Sequence, residues 1–299
     1  MPTGVELAAM PSDGPSGGRP SAGTDRVEFV VLAPTGGDRL AGMLPAMPRL
    51  RVVQTLNAGV DWVPELPSGV TLCNASGVHD GPVAEWVLAG ILASYKRLPH
   101  YLDHQRSARW DSSGNLAFGG GPAADDLSGA TVLVVGYGSI GAAVEARLAP
   151  FGAHVLRVAR HGRPGVHEPS ALADLLPDAD IVVLLAPATT ETAGLVDERF
   201  LAALRPGALV VNASRGSLVD TDALLAALAE RRVRAVLDAT DPEPLPDGHP
   251  LWTAPGLIIT PHVAGSSARW FERACAFAGE QIRRYAMGEP LSNVRAHGY

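Results

Sequence analysis

Apolar runs and helical patterns alternate along most of the chain, most clearly after Ala130. Strands that lack a polar face and are separated by helices are typical of a parallel sheet covered on both sides. This part of the sequence therefore predicts a doubly wound α/β domain. The predicted strands are Thr131–Val135, His154–Ala159, Ile181–Leu185, Ala208–Asn212, Ala235–Asp238 and Leu257–Thr260, and the predicted helices are Ser139–Ala149, Ser170–Leu176, Glu198–Leu204 and Thr221–Arg231.

The region before Ala130 contains fewer regular patterns. Its apolar spacing predicts a long buried helix over Pro82–Tyr101, and the Gly-, Pro- and Ser-rich segment Met10–Thr24 predicts a flexible stretch. Between Leu102 and Leu127 the pattern is irregular and includes the glycine run Gly119–Pro122, so we expect the chain to cross into a second domain here. Further strands are predicted at Glu28–Ala33, Leu50–Leu56 and Gly69–Asn74, with one short strand at most in Gly4–Met10, and a last helix over Ala268–Met287.

Length and composition indicate a globular protein of two domains. The 299 residues reach the size at which single cores stop growing, and 46% of them are hydrophobic against 18% charged. The net charge of −7 provides no attraction to nucleic acid or to an anionic membrane. The N-terminus shows no basic region followed by an apolar stretch, and Val83–Tyr95 is too short to span a bilayer, so the expected location is the cytoplasm.

The two cysteines, Cys73 and Cys275, form no CxxC pair, which argues against a disulfide framework or a structural zinc site. Both lie among apolar residues, so buried packing is predicted for each. No histidine and carboxylate cluster has the spacing of metal ligands, and no metal is predicted. The histidines interpreted as structural are His79, His104, His249 and His297.

The strand Thr131–Val135 leads directly into the sequence GYGSIG and then into a helix, which is the context of a dinucleotide-binding turn. Gly136 permits the tight turn, Gly138 lets the backbone approach a pyrophosphate, and Gly141 allows the helix to pack closely on the strand. The alternative interpretation is a purely structural turn. The cofactor contacts predicted here are Gly136, Gly138, Ser139, Ile140 and Gly141.

The second half of the fingerprint is missing. An NAD site usually has an acid about 20 residues further on that bonds the ribose 2′-hydroxyl, but no acid lies between Glu145 and Glu168. Arg160 and Arg163 occupy this region instead, and arginines suit a 2′-phosphate. NADP(H) is therefore the preferred cofactor, with NAD(H) as the second choice. The alternative is that these arginines are ordinary solvated surface charges.

Nearly the whole chain after Val27 resembles the D-isomer-specific 2-hydroxyacid dehydrogenases. The resemblance rests on five motifs in the family's order, and the combination is more specific than any single motif. The motifs are Asn57-Ala58-Gly59-Val60-Asp61, Asn74 to His79 followed by Val83-Ala84-Glu85, Asn212 to Asp220, Asp238 to Pro244, and Thr260 to Gly265. The resemblance implies two Rossmann-like or flavodoxin-like doubly wound domains.

The resemblance also implies the catalytic residues Arg215, Glu243 and His262. Arg215 follows a strand at the carboxyl edge of the sheet, and its planar fork suits the carboxylate and carbonyl of a 2-keto acid. His262 would donate a proton to the carbonyl oxygen during reduction and recover it during oxidation. Glu243 would pair with the other imidazole nitrogen and fix its orientation. Asp241 is an alternative, but the spacing of Glu243 from Asp238 matches the family pattern.

Other contacts follow from the same resemblance. Backbone N–H groups of Gly59 and Val60 would hold the substrate carboxylate from the other domain, within a substrate-binding turn that also contains Asn57 and Ala58. Asp238 would contact the nicotinamide carboxamide. Trp62, His79, Tyr95 and Trp252 are candidates for the substrate pocket. The remaining implied cofactor contacts are Pro187, Thr192, Ala213, Ser214 and Gly265.

The expected domains are a substrate domain at 1–101 plus 266–299 and a dinucleotide-binding domain at 102–265, with the active site in the cleft between them. Family members begin with a further strand–helix unit, so the substrate domain is expected to be shortened by about one such unit. The end of the chain at Tyr299 leaves no room for the regulatory domain of many phosphoglycerate dehydrogenases. The resemblance also implies a homodimer formed through Leu102–Pro122, with Trp110 as a buried anchor.

The predicted function is hydride transfer between a nicotinamide cofactor and a 2-keto or D-2-hydroxy acid such as glyoxylate or hydroxypyruvate. One alternative is a non-catalytic corepressor-like protein that senses dinucleotide, since such proteins keep the same three residues. Another is formate dehydrogenase chemistry, although that subgroup has glutamine where Glu243 stands. The identity of the substrate side chain is left open.

Overall fold

The computed structural model describes residues 5–8, 23–34, 36–114 and 124–295. The chain forms two compact units, of which the first comprises Met1–His79 and Ser266–Tyr299 and the second Asp80–Gly265. Within the described ranges, no helix combines the length and the apolar character needed to cross a bilayer. The segment Gly119–Pro122 and most of Met10–Thr24 lie outside the described residues, and Val5–Ala8 forms no strand.

The first unit is built on a four-stranded sheet. Strands β1 (Phe29–Leu32), β2 (Val52–Thr55) and β3 (Thr71–Cys73) are parallel, and the fourth strand, β10 (Val294–Arg295), runs antiparallel beside β3. Two helices accompany this sheet, α1 (Gly37–Met43) and α8 (Trp270–Met287). The three parallel strands match the positions predicted from the sequence, whereas α1 and the two-residue β10 were not predicted.

A buried pair of amides connects the last helix, α8, to the sheet of the first unit. Gln281 is 1% exposed, and its Nε2 donates to Oε1 of Gln54 at 2.9 Å. The other buried residues on this helix, Ala274 and Ala278, lie on the same face. Cys275 is exposed, so the predicted burial of this cysteine is wrong; it follows Ala274 and therefore points away from the buried face. Cys73 is buried as predicted, and burial raises the pKa of its thiol to about 11.

The second unit contains a six-stranded parallel sheet of order β5-β4-β6-β7-β8-β9. His167 adds a single parallel bridge beside Val158 on the outer side of β5. The strands are β4 (Thr131–Val135), β5 (His154–Val158), β6 (Ile181–Leu184), β7 (Ala208–Asn212), β8 (Val233–Leu237) and β9 (Leu257–Ile259), and the helices are α2 (Asp80–Tyr95), α3 (Leu98–Arg106), α4 (Ser139–Leu148), α5 (Leu172–Leu175), α6 (Glu198–Ala203) and α7 (Thr221–Ala229).

Both faces of this sheet are covered, as the lack of polar strand faces predicted. Alternate residues of β4 enter different cores: Leu133 packs with residues of α6 and α7, while Val132 and Val134 pack with residues of α2 and α4. Such alternation follows from the two-residue period of a strand. The doubly wound α/β fold predicted for this region is therefore confirmed.

The single helix predicted over Pro82–Tyr101 is wrong, because two helices, α2 and α3, occupy this region. They are separated at Arg97, which has a left-handed φ of 54°. Pro99 lies in the first turn of α3, where a missing N–H has no cost. In one continuous helix its ring would clash with the carbonyl of Tyr95, four residues earlier.

The packing of α2 moves the first domain boundary from the expected position near residue 101 to Asp80. A Cβ on Gly90 would lie 2.7 Å from Cγ1 of Val236 in β8, so helix and strand approach closely at this glycine. Val87 and Ile91 on the same helix are fully buried in the core of the second unit. The second boundary, between Gly265 and Ser266, coincides with the expected one.

Candidate active site

The glycine-rich turn between β4 and α4 has the tight backbone conformation that was predicted from its glycines. Gly136 adopts a left-handed φ of 96°, and its N–H donates to the carbonyl of Val158 at 2.9 Å. A Cβ on Gly141 would lie 3.2 Å from Cγ1 of Val134, so helix and strand are close there. A Cβ on Gly138 would meet no described atom within 4 Å. The turn therefore exposes backbone at the N-terminus of α4, where anions bind.

The end of β5 presents the two arginines that were predicted to select NADP(H). Nη2 of Arg163 donates to the carbonyl of Tyr137 at 2.9 Å, and its guanidinium lies over the Tyr137 ring at 5.7 Å. Arg160 forms only a long contact of 3.5 Å with Glu191, and both side chains are more than half exposed. Arg163 is therefore anchored beside the glycine-rich turn, and Arg160 can reorient at little cost.

Two acids near this strand end are already engaged. Glu145 pairs with Arg157 and accepts a hydrogen bond from the Tyr137 hydroxyl, and the Arg157 contact lowers the pKa of this carboxyl. Glu168 turns back toward the loop, and its Oε1 accepts from the N–H of Gly162 at 3.3 Å. This position of Glu168 could not be predicted from the sequence, because the contact depends on how the loop between residues 159 and 168 folds.

The loop after β6 is closed by its own threonines. The Thr192 hydroxyl donates to the carbonyl of Pro187 at 2.6 Å, and the N–H of Thr189 donates to the same hydroxyl at 2.8 Å. These bonds fix the backbone at two predicted cofactor contacts, Pro187 and Thr192. Because β6 lies next to β4, the loop and the glycine-rich turn lie at the same carboxyl edge of the sheet.

The catalytic arginine predicted from the sequence stands in a turn organised by a buried amide. Asn212, at the end of β7, is fully buried; its Nδ2 donates to the carbonyl of Arg215, and its Oδ1 accepts from the N–H and the hydroxyl of Ser214. Nη1 of Arg215 donates to the Ser214 carbonyl at 2.9 Å. Asn212 was not among the predicted site residues, although its place at the strand end was a usable signal.

Asp238 follows β8 and is only 4% exposed. Its Oδ1 accepts from the Thr260 hydroxyl at 2.5 Å and from the N–H of Val263 at 2.8 Å, and its Oδ2 accepts from the N–H of Ala264 at 2.7 Å. The Asp238 carbonyl also accepts from the N–H of His262 at 2.8 Å. Asp238 was predicted to contact the nicotinamide. In the structure it holds the backbone of the loop that begins at His262, a role that was not predicted.

His262 and Glu243 meet at the carboxyl edge of the same sheet. Nδ1 of His262 lies 2.6 Å from Oε1 of Glu243, and both side chains are partly exposed. His262 has a left-handed φ of 53°, which is rare for a residue with a side chain. Glu243, not Asp241, is the carboxylate that the structure brings to the imidazole. The contact directs Nε2, the remaining ring nitrogen, to other partners.

The turn Asn57–Val60 lies in the first unit, directly after β2. The carbonyl oxygens of Asn57, Ala58 and Gly59 accept hydrogen bonds from the Ala75 N–H, the Asn74 Nδ2 and the Trp62 Nε1, at 3.0, 2.6 and 3.0 Å. In a planar trans peptide the N–H points away from the carbonyl. The Gly59 N–H shares a peptide plane with the Ala58 carbonyl, and the Val60 N–H shares one with the Gly59 carbonyl. Both N–H groups therefore point away from the donors that bind these carbonyls.

The four candidates for the substrate pocket have different surroundings in the structure. Tyr95 is wrong as a pocket residue, because its ring lies 5.2 Å from the guanidinium of Arg234 at the beginning of β8, the opposite edge from His262. Burial raises the pKa of this phenol to about 12. Trp62 bonds to the Asn57–Val60 turn, His79 stacks on Trp270 within the first unit, and Trp252 is half exposed.

Comparisons with known proteins agree with this geometry. Residues 88–264 match the family model described as "D-isomer specific 2-hydroxyacid dehydrogenase, NAD binding domain". This range contains the glycine-rich turn, Arg215, Glu243 and His262. The chain belongs to the D-isomer specific 2-hydroxyacid dehydrogenase family. Its second unit is the family's NAD binding domain, and Ala213, Ser214 and Gly265 are placed in the loops that surround the carboxyl edge of that domain.

Individual members of the family match over most of this chain. A D-3-phosphoglycerate dehydrogenase from Mycobacterium leprae is 35% identical in an alignment of 285 residues, and the match covers 89% of this chain and 52% of the relative. The chain thus spans about half the length of this relative. A glyoxylate reductase from Thermofilum pendens is 33% identical over 259 residues, covering 83% of this chain and 76% of the relative.

A solved structure has the same fold. The D-isomer specific 2-hydroxyacid dehydrogenase from Xanthobacter autotrophicus, in complex with NADPH and MES, is 32% identical and aligns with a TM-score of 0.76. The match covers 92% of this chain and 86% of the other. The family predicted from the five motifs is therefore confirmed.

Proposed function

We propose that this chain is an NAD(P)-dependent D-2-hydroxyacid dehydrogenase that reduces small 2-keto acids. The observation that carries the proposal is the contact between His262 Nδ1 and Glu243 Oε1 at 2.6 Å. It occurs at the same sheet edge as the dinucleotide turn and the loop of Arg215, so an acid–base group, a guanidinium and a nicotinamide site share one edge. This combination suits hydride transfer coupled to proton transfer.

A reduced nicotinamide cofactor, held by the glycine-rich turn Gly136–Gly141, would supply the hydride for the keto carbon in the reductive direction. His262 gives the proton from Nε2 to the keto oxygen, so that the carbonyl becomes a hydroxyl, and the imidazole regains a proton from solvent. Glu243 holds the imidazole through Nδ1 and balances the charge of its protonated form. In the oxidative direction His262 accepts the hydroxyl proton, and the same groups act in reverse.

Arg215 supplies the recognition of the substrate class in this proposal. Its guanidinium can bond the carboxylate in a bidentate manner and can also stabilise the oxygen that gains negative charge as hydride arrives. The Asn212 amide supports this role, because it fixes the backbone of Arg215 and of Ser214 from a fully buried position. The N–H groups of Gly59 and Val60 remain predicted as further carboxylate contacts.

NADPH is the preferred cofactor in this proposal. Arg163 is anchored to the Tyr137 carbonyl beside the glycine-rich turn, and Arg160 is exposed with only a 3.5 Å contact to Glu191. A 2′-phosphate offers Arg160 a stronger, charge-assisted partner than that surface contact. Glu145, the nearest acid on the adjoining helix, is neutralised by Arg157, so it adds little repulsion.

Hydroxypyruvate and glyoxylate are the proposed substrates, and a substrate panel with both cofactors tests the proposal. Hydroxypyruvate is the more informative of the two, because its product is chiral and the D isomer is expected. Binding of NADPH without turnover of any 2-keto acid would favour the dinucleotide-sensing alternative. A chain that oxidised formate but reduced no keto acid would favour the formate dehydrogenase alternative.

The homodimer expected from the family resemblance stays a prediction. Trp110 is 94% exposed, and Leu98 and Leu102 on α3 are about half exposed. Large apolar side chains that are exposed together suit an interface more than a solvated surface. Light scattering of the intact chain would give the oligomeric state.

A further inference from the structure

Three side chains with metal-binding atoms meet on and beside α3, outside the residues proposed for catalysis. His100 and His104 lie one helical turn apart on this helix, and Asp111 returns to them from the segment that follows. One donor atom from each lies within 4.8 Å of the others. No metal was predicted from the sequence, and the contact of Asp111 with the two histidines depends on how the segment after α3 folds.

We propose that His100, His104 and Asp111 bind a divalent transition-metal ion of the Zn²⁺ class. Two imidazole nitrogens and one carboxylate oxygen form a donor set that Zn²⁺ takes, whereas Mg²⁺ and Ca²⁺ prefer oxygen alone. Histidines four residues apart on a helix face the same side, so both can reach one ion. Solvent would provide the fourth ligand.

The two distances from Asp111 require only small adjustments, and the donor nitrogens of the two histidines lie within 4.8 Å of each other. Oδ2 of Asp111 lies 2.5 Å from Nε2 of His100 and 3.9 Å from Nε2 of His104. With Zn–N bonds of about 2.0–2.1 Å, donors on one tetrahedral ion lie roughly 3.3 Å apart. The first distance must therefore open by less than about 1 Å and the second must close by roughly half an ångström. Side-chain rotation can supply both changes.

The carboxylate is already positioned for this role. The N–H of Ser113 donates to Oδ1 of Asp111 and the Ser113 hydroxyl donates to Oδ2, each at 2.9 Å. These bonds, together with the His100 contact, hold the pKa of the Asp111 carboxyl well below its usual range. Hydrogen bonds of this kind orient metal ligands. The carboxylate is therefore ionised and oriented before any ion arrives.

The return segment is also held against the helix. A Cβ on Gly114 would overlap the hydroxyl at the tip of the Tyr101 side chain, so the return segment passes close to α3 at this glycine. Asp111 is 14% exposed, His104 25% and His100 38%, so the site is partly open to solvent. An ion would pin this segment to α3 and stabilise both.

The ring of His104 makes no hydrogen bond among the described residues. Its Nδ1 is buried without a partner there, and its Nε2 lies 3.9 Å from Oδ2 of Asp111, too far for a hydrogen bond. The ring packs on His100 with centroids 4.6 Å apart. A metal at Nε2 would give that nitrogen a close partner and would leave Nδ1 as it is.

The site is distinct from the proposed active site. The C-terminus of α2 lies beside the beginning of β8, as the contact of Tyr95 with Arg234 shows, and α3 begins three residues further on. His262 follows the other end of the sheet. The proposed role is therefore structural, and it does not depend on the proposed dehydrogenase activity.

Metal binding should release protons. Nε2 of His100 lies 2.5 Å from Oδ2 of Asp111, so a hydrogen lies between these atoms, and an ion bound at both must displace it. The competing interpretation is a plain ion pair between His100 and Asp111, with no metal.

The test uses the untagged full-length chain, freed of metal by dialysis against EDTA. Titration with Co²⁺ should produce visible absorption of a four-coordinate site, and calorimetry with Zn²⁺ should show one ion per chain with proton release. His104→Gln and His100→Gln should each raise the Zn²⁺ Kd by at least roughly the 10–100-fold seen when weaker outer contacts are lost. His154→Gln, a change at an exposed histidine elsewhere, should leave it unchanged.

Circular dichroism of the metal-free variants separates lost binding from lost folding. Asp111→Asn offers a second variant that keeps the size of the side chain and removes its charge, and it should also weaken binding. The proposal is overturned if Co²⁺ produces no such absorption, or if His100→Gln and His104→Gln bind Zn²⁺ as tightly as the unaltered chain. Removal of the metal should lower the Tm and leave kcat unchanged.

Discussion

Asp238 holds the backbone of His262 in place. The N–H of His262 donates to the Asp238 carbonyl at 2.8 Å. The Asp238 carboxylate accepts hydrogen bonds from the N–H groups of Val263 and Ala264, the two residues after His262. This arrangement supports a left-handed φ of 53° at the histidine. Backbone strain of this kind persists where the surroundings enforce it, and it concentrates at functional sites. The geometry of the proposed acid thus depends on a buried carboxylate.

Asp238→Asn should therefore damage both stability and catalysis. The amide is the same size but would turn an N–H₂ group toward N–H donors, and a buried group without its hydrogen bond costs about 1–3 kcal/mol. We expect a lower Tm and a lower kcat. Asp241→Asn is the matched control, because that exposed residue precedes a proline in the adjoining loop. Equal effects of the two changes in thermal melting and steady-state assays would contradict this role of Asp238.

His262→Gln tests the general acid. Glutamine can still make hydrogen bonds but cannot donate a proton at a useful rate, so kcat should fall by about 10²–10⁴. The loss should appear in reduction and in oxidation, because the same imidazole gives the proton in one direction and accepts it in the other. Far-UV circular dichroism and NADPH binding should change little. A variant with near-normal kcat, where chemistry is shown to limit the rate, would remove His262 from the mechanism.

Glu243→Gln tests a positioning residue. Its amide oxygen can still accept from Nδ1 of His262, so the imidazole keeps its orientation and loses the adjacent negative charge. The positive charge of the proton-carrying imidazole is then no longer balanced, so kcat should fall while the KM for the keto acid changes little. Glu243→Asp keeps the charge and shortens the reach. A kcat of Glu243→Gln equal to that of the unaltered chain would show that the contact serves structure alone.

Much of this site was predictable because it depends on strand ends. Apolar strands gave the sheet, parallel strands end at one edge, and the glycine-rich turn, Arg215 and His262 each follow such an end. The pairing of Glu243 with His262 required the family pattern, since Asp241 is only two residues away. A strand pattern shows where each strand ends, and it therefore predicts which side chains follow the strand ends and lie at the same edge of the sheet.

Other features depended on packing and escaped prediction. The break at Arg97 needs a left-handed residue that the apolar pattern of α2 does not reveal. Tyr95 was misplaced because a helix that crosses a sheet brings its two ends to opposite edges. Cys275 has apolar neighbours in sequence and still lies on the exposed face of α8. The turn that brings Asp111 to His100 has no periodic signal at all.

Cofactor choice is tested by replacing Arg160 and Arg163 together with alanine. The double variant should lose several-fold in kcat/KM with NADPH and almost nothing with NADH, because only the 2′-phosphate interacts with these charges. Arg199→Ala, a change at an exposed arginine of α6, is the control for net charge. Equal or better use of NADH by the unaltered chain would reject the NADPH preference, and equal losses with both cofactors would show that the arginines support the fold.

Arg215→Lys tests the substrate class itself. A 2-keto acid presents a carboxylate in the ground state and a developing oxyanion in the transition state, so a residue that meets both contributes to KM and to kcat. Lysine keeps the positive charge but cannot reproduce the bidentate fork. We expect a higher KM for the keto acid together with a lower kcat, measured by steady-state kinetics at saturating NADPH.

The same variant separates substrate recognition from cofactor binding. NADPH affinity should be almost unchanged, because the proposed dinucleotide contacts are the glycine-rich turn and Arg160, whereas Arg215 belongs to the loop after β7. Asn212→Asp is a useful companion, since it leaves the guanidinium in place and removes the amide donor to the Arg215 carbonyl. It should lower kcat less than Arg215→Lys does. If Arg215→Lys instead weakened NADPH binding and handled keto acid normally once saturated with cofactor, Arg215 would serve the dinucleotide, and the proposed reaction class would lose its main support.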